Sequence, residues 1–566
     1  MPFPDRIQRK PALLALAAGL ALMPLAGTLS AQTLPGEVTS GVFISDGGGG
    51  GFGGDIDSND WFGSSLVFLG DHDGNGRPTL AVGAPGDNDS ATQSGALWLL
   101  TLEPDGSVLT ESKIAESQGG FTGDLAQLHR FGDALAALGD LDGNGIADIA
   151  VGATGDDDGG ESAGAVWILF LGPGDTVANS AKIAPPGPGV LDPADLFGAS
   201  LATLGDLDGD GLLEIAVGAK FDDDDGNNAG AIYILSIDDT GAALSGVKIN
   251  ATYGGFGGAL VADDQFGTSL GCIGDLDGDG VVDLAVGSDG GTGFVDLLFL
   301  NADGTVKSDT RLAEGLGGFS PGLLNGDDFG SSVQSLGDLD HDGVPDLAVG
   351  AQSRDVFFGN EGSFFVLFMH ADGSVKRSVE IGNGEAGFDG PAAEFTDFGG
   401  ALAPLGDLDG DGVLDLAVGH EDWPYDFEFG TGAKGALHVL SITDGLWIDL
   451  GDGLAGSGGI PALIGDGVPL AGETISLSLS GAQPEATSFL VVGFSALSAP
   501  FKGGVMVPSP DQLLGFDTGP TGDFALDVTW PAGLPTGLSL WFQIWIQDAG
   551  GPVGWAASSA LITTTP

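Results

Sequence analysis

Between residues 38 and 443, apolar and polar positions recur in one fixed order, six times over. Each copy opens on a Phe-Gly pair and an apolar stretch ending in glycine, then passes into an acidic, glycine-rich phrase. A run of small and β-branched residues follows at once, such as Ile215-Ala216-Val217-Gly218-Ala219. The Phe-Gly pairs start at Phe62, Phe131, Phe197, Phe266, Phe329 and Phe398, in steps of 69, 66, 69, 63 and 69 residues. A period this regular marks one supersecondary unit repeated. Each unit has room for four short strands, in the second copy near residues 134–138, 148–151, 165–171 and 181–184. That is the pattern of a β-propeller blade.

The acidic phrase is clearest at Asp206-Leu207-Asp208-Gly209-Asp210-Gly211-Leu212-Leu213-Glu214. Oxygen donors alternate at positions 1, 3 and 5, glycine occupies position 6 and a carboxylate position 9. A hard cation such as calcium takes six to eight oxygens, and glycine lets the chain fold tightly around it. The expected ligands are Asp206, Asp208, Asp210, the Leu212 carbonyl and Glu214 in the third copy. In the second they are Asp140, Asp142, Asn144, the Ile146 carbonyl and Asp148, and in the fourth Asp275, Asp277, Asp279, the Val281 carbonyl and Asp283. The fifth offers Asp338, Asp340, Asp342, the Val344 carbonyl and Asp346; the sixth offers Asp407, Asp409, Asp411, the Val413 carbonyl and Asp415. The first keeps Asp71, Asp73 and Asn75 but has Thr79 at position 9, so a weaker or empty site is expected there. An EF-hand is excluded, because its position-12 Glu and flanking helices are replaced by a strand-like run containing Val217. The competing reading is of solvated Asp-Gly turns without metal.

Phe-Gly, the Asp-x-Asp-Gly-Asp-Gly loop and Leu-Ala-Val-Gly-Ala together resemble the FG-GAP repeat of integrin α-subunit β-propellers, over roughly residues 38–443. The resemblance implies an all-β, calcium-binding propeller with about five to six ions, and a role in binding or adhesion. Integrin propellers have seven blades, whereas six repeats are legible here. After the sixth repeat a third strand is present at residues 436–442 without a matching fourth. Gly41-Val42-Phe43-Ile44-Ser45 carries fourth-strand text before the first repeat, so the N-terminal strand is expected to complete the last blade. Six blades are therefore favoured, a seventh built from residues after 443 being the alternative.

The flanks read differently. Residues 1–31, with Arg6, Arg9 and Lys10 before an apolar stretch and Ser30-Ala31 at its end, have the form of a signal peptide. A retained anchor is the alternative. Residues 32–445 are assigned to the propeller and 446–566 to a small β-sandwich-like domain, where Ile475, Leu477 and Leu479 alternate with serines. Attachment or sorting is the role expected for that domain. In it, Trp541, Phe542, Ile544 and Trp545 read as core rather than as a binding stripe.

Charge and chemistry then narrow the function. A formal net charge of −64, from 80 acidic and 16 basic residues, excludes nucleic acid and anionic membrane as electrostatic partners. An extracellular protein or polysaccharide ligand and a monomeric state are expected, in a secreted or cell-surface setting. Cys272 is the one cysteine, expected to be buried and inert. Gly267-Thr268-Ser269-Leu270-Gly271 fits the hydrolase pattern Gly-x-Ser-x-Gly, but the same alignment position recurs as Phe62-Gly63-Ser64-Ser65 in another repeat. Ser269 is thus assigned to the repeat and no catalytic residue is named; an extracellular hydrolase or lyase, or a purely structural protein, are the alternatives. The six histidines are read as surface or strand-end residues, and the acidic residues after the Val-Gly-Ala run (Asp87, Asp89, Asp156–Asp158, Asp222–Asp225) as solvated turns or an acidic rim. Residues 47–51 are read as a flexible patch.

Overall fold

In the computed structural model, the structure describes residues 36–564 except 48, 184–190, 341–342, 355–360, 389–395, 411–412, 422–433, 444–447, 450–452, 458, 467–473, 503, 531–537 and 559. The signal-peptide reading and the ligands Asp342 and Asp411 lie outside the described residues. Two compact units are present, one of Glu37–Leu339 with Val344–Ile442 and one built on Thr443–Pro566.

The first unit is a six-bladed β-propeller of four-stranded antiparallel sheets. Blade 1 runs through Leu66–Gly70, Thr79–Ala84, Ala96–Leu102 and Val108–Ile114, from inner to outer strand. Blades 2 to 5 repeat this order, and blade 6 consists of Leu402–Gly406, Leu414–His420, Ala436–Ile442 and, from the other end of the chain, Val38–Ser45. Phe43 faces His438 and Ile44 faces Leu437 in that last antiparallel pair. The six inner strands pack one against the next, the sixth against the first, so the ring closes. None of the described strands after residue 443 enters these sheets, which removes the seven-bladed alternative.

Why the two signature glycines recur is now physical. A Cβ on Gly83 would lie 2.1 Å from the Gly132 carbonyl oxygen, where blade 2 begins. The same contact recurs at Gly152 with Gly198, Gly218 with Gly267, Gly287 with Gly330, Gly350 with Gly399, and finally Gly419 with Gly63, at 2.0–2.2 Å. Neighbouring backbones touch here, and only glycine leaves the space. The Phe of each pair is 0–2% exposed, and five of them pack on a second Phe (Phe52, Phe121, Phe256, Phe319 and Phe388) at 4.7–5.1 Å between centroids.

Residues 49–51 depart from the flexible reading. They form the same turn as residues 118–120, with the Gly50 carbonyl accepting from Val108 N at 2.7 Å, as Gly119 accepts from Val177 N at 2.8 Å. The turn delivers Phe52, which is fully buried.

In the second unit, Thr487–Gly493, Gln512–Asp517, Ser539–Gln547 and Leu561–Thr564 belong to one sheet, and Ala462–Asp466, Thr474–Ser480 and Phe524–Thr529 form another. Ile475, Leu477 and Leu479 from the second sheet share one core with Leu490, Val492, Phe542 and Ile544 from the first, which makes a β-sandwich. Phe542, Ile544 and Trp545 are at most 3% exposed, as the core reading requires, whereas Trp541 is only partly buried. No helix among the described residues is long and apolar enough to cross a membrane.

Candidate metal centres

Each acidic loop joins an inner strand to its neighbour and is held by its own side chains. In the third, Asp206 Oδ2 accepts from Gly211 N at 3.0 Å, Asp208 Oδ1 from Asp210 N at 3.0 Å, and Asp210 Oδ1 from Leu212 N at 2.8 Å. The second repeats the set through Asp140, Asp142 and Asn144, the last accepting from Ile146 N. The fourth does so through Asp275, Asp277 and Asp279, the last accepting from Val281 N. Asp71, Asp73 and Asn75 make the same bonds in the first. Positions 1, 3 and 5 are therefore turned into one loop, and Gly211 at position 6 takes φ +89°, a conformation only glycine adopts without strain. Of the sixth loop the structure describes Asp407, Asp409, Val413 and Asp415, with Asp407 accepting from Gly410 N at 2.8 Å.

Position 9 does something the spacing alone did not reveal. Asp148 is fully buried, and its two oxygens accept from Leu141 N and Leu171 N, both at 2.9 Å. It thus brackets the start of the loop to the end of the third strand. Asp283 bonds Leu276 N and Leu300 N, and Asp346 bonds Leu339 N and Met369 N, in the same way. Glu214 and Asp415 keep the bond to the position-2 amide. Burial pushes Asp148 and Asp283 up to about 6. In the first copy Thr79 is buried with its hydroxyl lacking a hydrogen-bond partner, and Leu102 N turns to the Pro78 carbonyl instead.

The donor chemistry suits a hard divalent cation. Carboxylate oxygens of Asp140, Asp142 and Asp148 lie within 4.8 Å of one another, as do those of Asp338, Asp340 and Asp346, those of Asp206, Asp208 and Asp210, and those of Asp275, Asp277 and Asp279. Glu214 and Asp283 stand outside these two latter groups, whereas Asp148 is inside the first. Like charges so close repel, and calcium is the ion that oxygen-only, flexible sites of this kind take.

Of the acids that follow the Val-Gly-Ala run, Asp87, Asp156 and Asp222 are buried, while Asp89, Asp157, Asp158, Asp223 and Asp224 are exposed, as the solvated-turn reading expects. Asp156 is fully buried and pairs with Lys182 at 2.5 Å, while Asp158 holds the same ammonium at 2.6 Å. Lys248 pairs with Asp222 and Asp224 at 2.6 Å each, and Lys113 with Asp87 and Asp89. Each lysine comes from the outer strand and lies 5.4–5.5 Å from an aromatic ring of the third strand, Trp98, Trp167 or Tyr233. A clasp of ammonium, two carboxylates and a ring therefore ties the outer strand to the loop in blades 1, 2 and 3.

His72, His129, His420 and His438 depart from the surface reading by being buried, although His420 does end its strand, and His341 lies outside the described residues. His72 and His129 are buried beside Asp175 and Asp156, at 3.1 and 3.4 Å. His420 and His438 are 2% and 5% exposed and share a hydrogen bond of 2.7 Å between Nε2 and Nδ1. Burial keeps the pair neutral: it lowers His438 to about 4 and holds His420 well below its usual value. No local spacing announces the pair; its signal is that His420 stands where the other repeats have Ala84, Ala153, Ala219, Ser288 and Ala351. His370 is exposed. Ser269 is a ring contact, its hydroxyl donating to the Gly330 carbonyl at 2.8 Å, as Ser200 donates to Gly267 and Ser332 to Gly399. Cys272 is a free, half-buried thiol pushed up by burial.

The FG-GAP repeat family matches residues 131–169, 197–235 and 329–367, which are the first three strands of blades 2, 3 and 5. Human integrin alpha-6 is 30% identical over 166 residues, covering 29% of this chain and 13% of that protein. Mouse integrin alpha-7 is 34% identical over 158 residues, covering 28% of this chain and 12% of that protein. Human integrin alpha-X is 39% identical over 93 residues, 16% of this chain and 8% of that protein. The chain is an FG-GAP repeat protein whose propeller resembles the repeat region of integrin α subunits. The matched stretch spans about an eighth or less of those relatives.

Proposed function

We propose that this is an exported, calcium-binding propeller that acts as a binding or adhesion module for an extracellular protein or polysaccharide, without enzymatic activity. The observation that carries the reading is the recurrence, around one closed ring, of loops whose carboxylates converge at positions 1 and 3 with either 5 or 9. Calcium would be held by Asp140, Asp142, Asn144, Asp206, Asp208, Asp210, Asp275, Asp277 and Asp279 and by their counterparts Asp338, Asp340, Asp342, Asp407, Asp409 and Asp411. The carbonyls of Ile146, Leu212, Val281, Val344 and Val413, and the position-9 acids, complete the sets. About five to six ions are expected, fewer if the loop with Thr79 stays empty. Rigid loops on a propeller face are a usual place for ligand capture, and residues 1–31 would direct export.

Binding of the full mature chain to an array of glycans and matrix proteins, in calcium and in chelator, tests this. Saturable binding abolished by chelation supports adhesion and names the ligand class; a folded protein that binds nothing overturns it. The calcium part is checked by a melt: chelation should lower the midpoint by more than ~5 °C, since losing several ions removes several kcal/mol of linkage. An unchanged melt, with no calcium bound by dialysis, overturns that part.

A further inference from the structure

The third and fourth loops share the text Asp-Leu-Asp-Gly-Asp-Gly, yet differ in one neighbouring charge. Lys307 Nζ lies 2.5 Å from Asp277 Oδ2 and also donates to Asp279 Oδ2. Both are members of the acidic group formed with Asp275. The strand register explains its position. Val306 pairs with Leu300 at the end of the third strand, so the next residue of the outer strand stands beside the loop. In blades 2 and 3 the equivalent pairs, Val177 with Leu171 and Ala243 with Ile237, place Ala178 and Leu244 there. Among the described residues no lysine or arginine lies within 4.0 Å of a carboxylate of Asp140, Asp142, Asp206, Asp208 or Asp210. The acidic groups of the second and third loops are thus left without an internal counter-charge, and that of the fourth carries its own.

We infer that Lys307 is a tethered cation that competes with calcium for the fourth loop, making it the weakest and last-filling of the loops in blades 2, 3 and 4. The inference rests on the calcium reading given above. An entering ion must either displace the ammonium from two carboxylates or bind beside a fixed positive charge, and both weaken the site. The side chain is one-third exposed, so it can swing into water when displaced. The third loop, without such a lysine, fills first. The ring then answers to external calcium in steps rather than at one concentration.

Calcium binding to the full mature protein, stripped by chelator and followed by equilibrium dialysis, tests this with Lys307→Met and Lys307→Arg. Lys307→Met should tighten one class of site roughly tenfold and leave the others alone, while Lys307→Arg stays near the parent. A second readout is site-specific: acylation of Lys307 by an amine reagent, read by peptide mass spectrometry, should rise with calcium. Its half-point should lie at a higher calcium concentration than that at which the first sites fill. If sites fill but Lys307→Met changes none more than twofold and Lys307 acylation ignores calcium, the inference falls and the calcium reading stands. If neither protein binds calcium at any loop, both fall.

Discussion

In blades 1, 2 and 3 the outer strand is clasped to the ring by charge; in blade 6 the same place is filled without any. Lys113, Lys182 and Lys248 face Trp98, Trp167 and Tyr233 across the outer pair of strands and reach buried aspartates. At the corresponding position of blade 6 Phe43 faces His438, and His420 lies beneath it. Phenylalanine rings enclose that pair: Phe43, Phe388 and Phe398 lie 4.7, 5.2 and 6.1 Å from His438, and Phe398 and Phe43 4.7 and 6.3 Å from His420. Blade 4 stands between the two, with Arg311 bonded twice to a buried Asp296 that replaces the ring. The lesson is that the fold demands a filled and internally hydrogen-bonded contact at this point, not a given charge. The exception falls where the outer strand comes from the far end of the chain.

Four sets of substitutions break or sharpen this contrast. The largest effect is expected at the seams between blades, where charge plays no part. Gly419→Ala, at the closing seam, and Gly218→Ala, between blades 3 and 4, each place a Cβ at 2.0–2.2 Å from a carbonyl oxygen. Both should cost more than ~3 kcal/mol and lower yield and melting midpoint alike. A tolerated Gly419→Ala beside a crippling Gly218→Ala would show that the ring closes loosely.

Next comes the clasp. Lys113→Ala strands the carboxylate of Asp87, whose side chain is 2% exposed, and should cost about 3–5 kcal/mol. Adding Asp87→Asn should recover most of that loss in denaturant melts. If the single variant melts like the parent, the clasp is decoration.

The neutral pair of blade 6 predicts a pH dependence of known sign. Its histidines stay neutral when folded and take protons near 6.5 when unfolded, so their contribution is complete above pH 6.5. It is lost as pH falls towards about 4. His420→Ala with His438→Phe, which writes blade 5's Ala351 and Phe365 into blade 6, should flatten the stability profile by about 3 kcal/mol over that window. The comparison must be with the parent, because burial raises Asp60 to about 6 and Asp195 to about 7, which acts in the opposite direction. Identical profiles would refute the buried neutral pair.

The smallest effect is expected at Ser269→Ala, about 1 kcal/mol for one lost hydrogen bond. Blades 2 and 6 already carry Ala134 and Ala401 at that position, so the variant should fold and bind as the parent does. Loss of a hydrolytic activity in this variant would contradict the ring-contact role.

The sequence by itself determined what is periodic. The six Phe-Gly pairs, the alternation of Asp206, Asp208 and Asp210, and the orphaned third strand at residues 436–442 were enough to read the blade, the loop and the closing strand. These follow from local geometry, since a turn of alternating acids around a glycine has few shapes and a lone strand edge needs a partner. Tertiary structure decided everything that depends on what two distant strands bring together. Position 9 reads as a ligand, yet Asp148 is also a buried bracket, because the end of the third strand, 23 residues away, supplies its second amide. Asp156 reads as solvated, yet it is buried and paired with Lys182 of the outer strand. His420 and His438 look unrelated until antiparallel pairing stacks their strands. Pairing partners are set by strand register and burial, and neither is written in the spacing of any one segment.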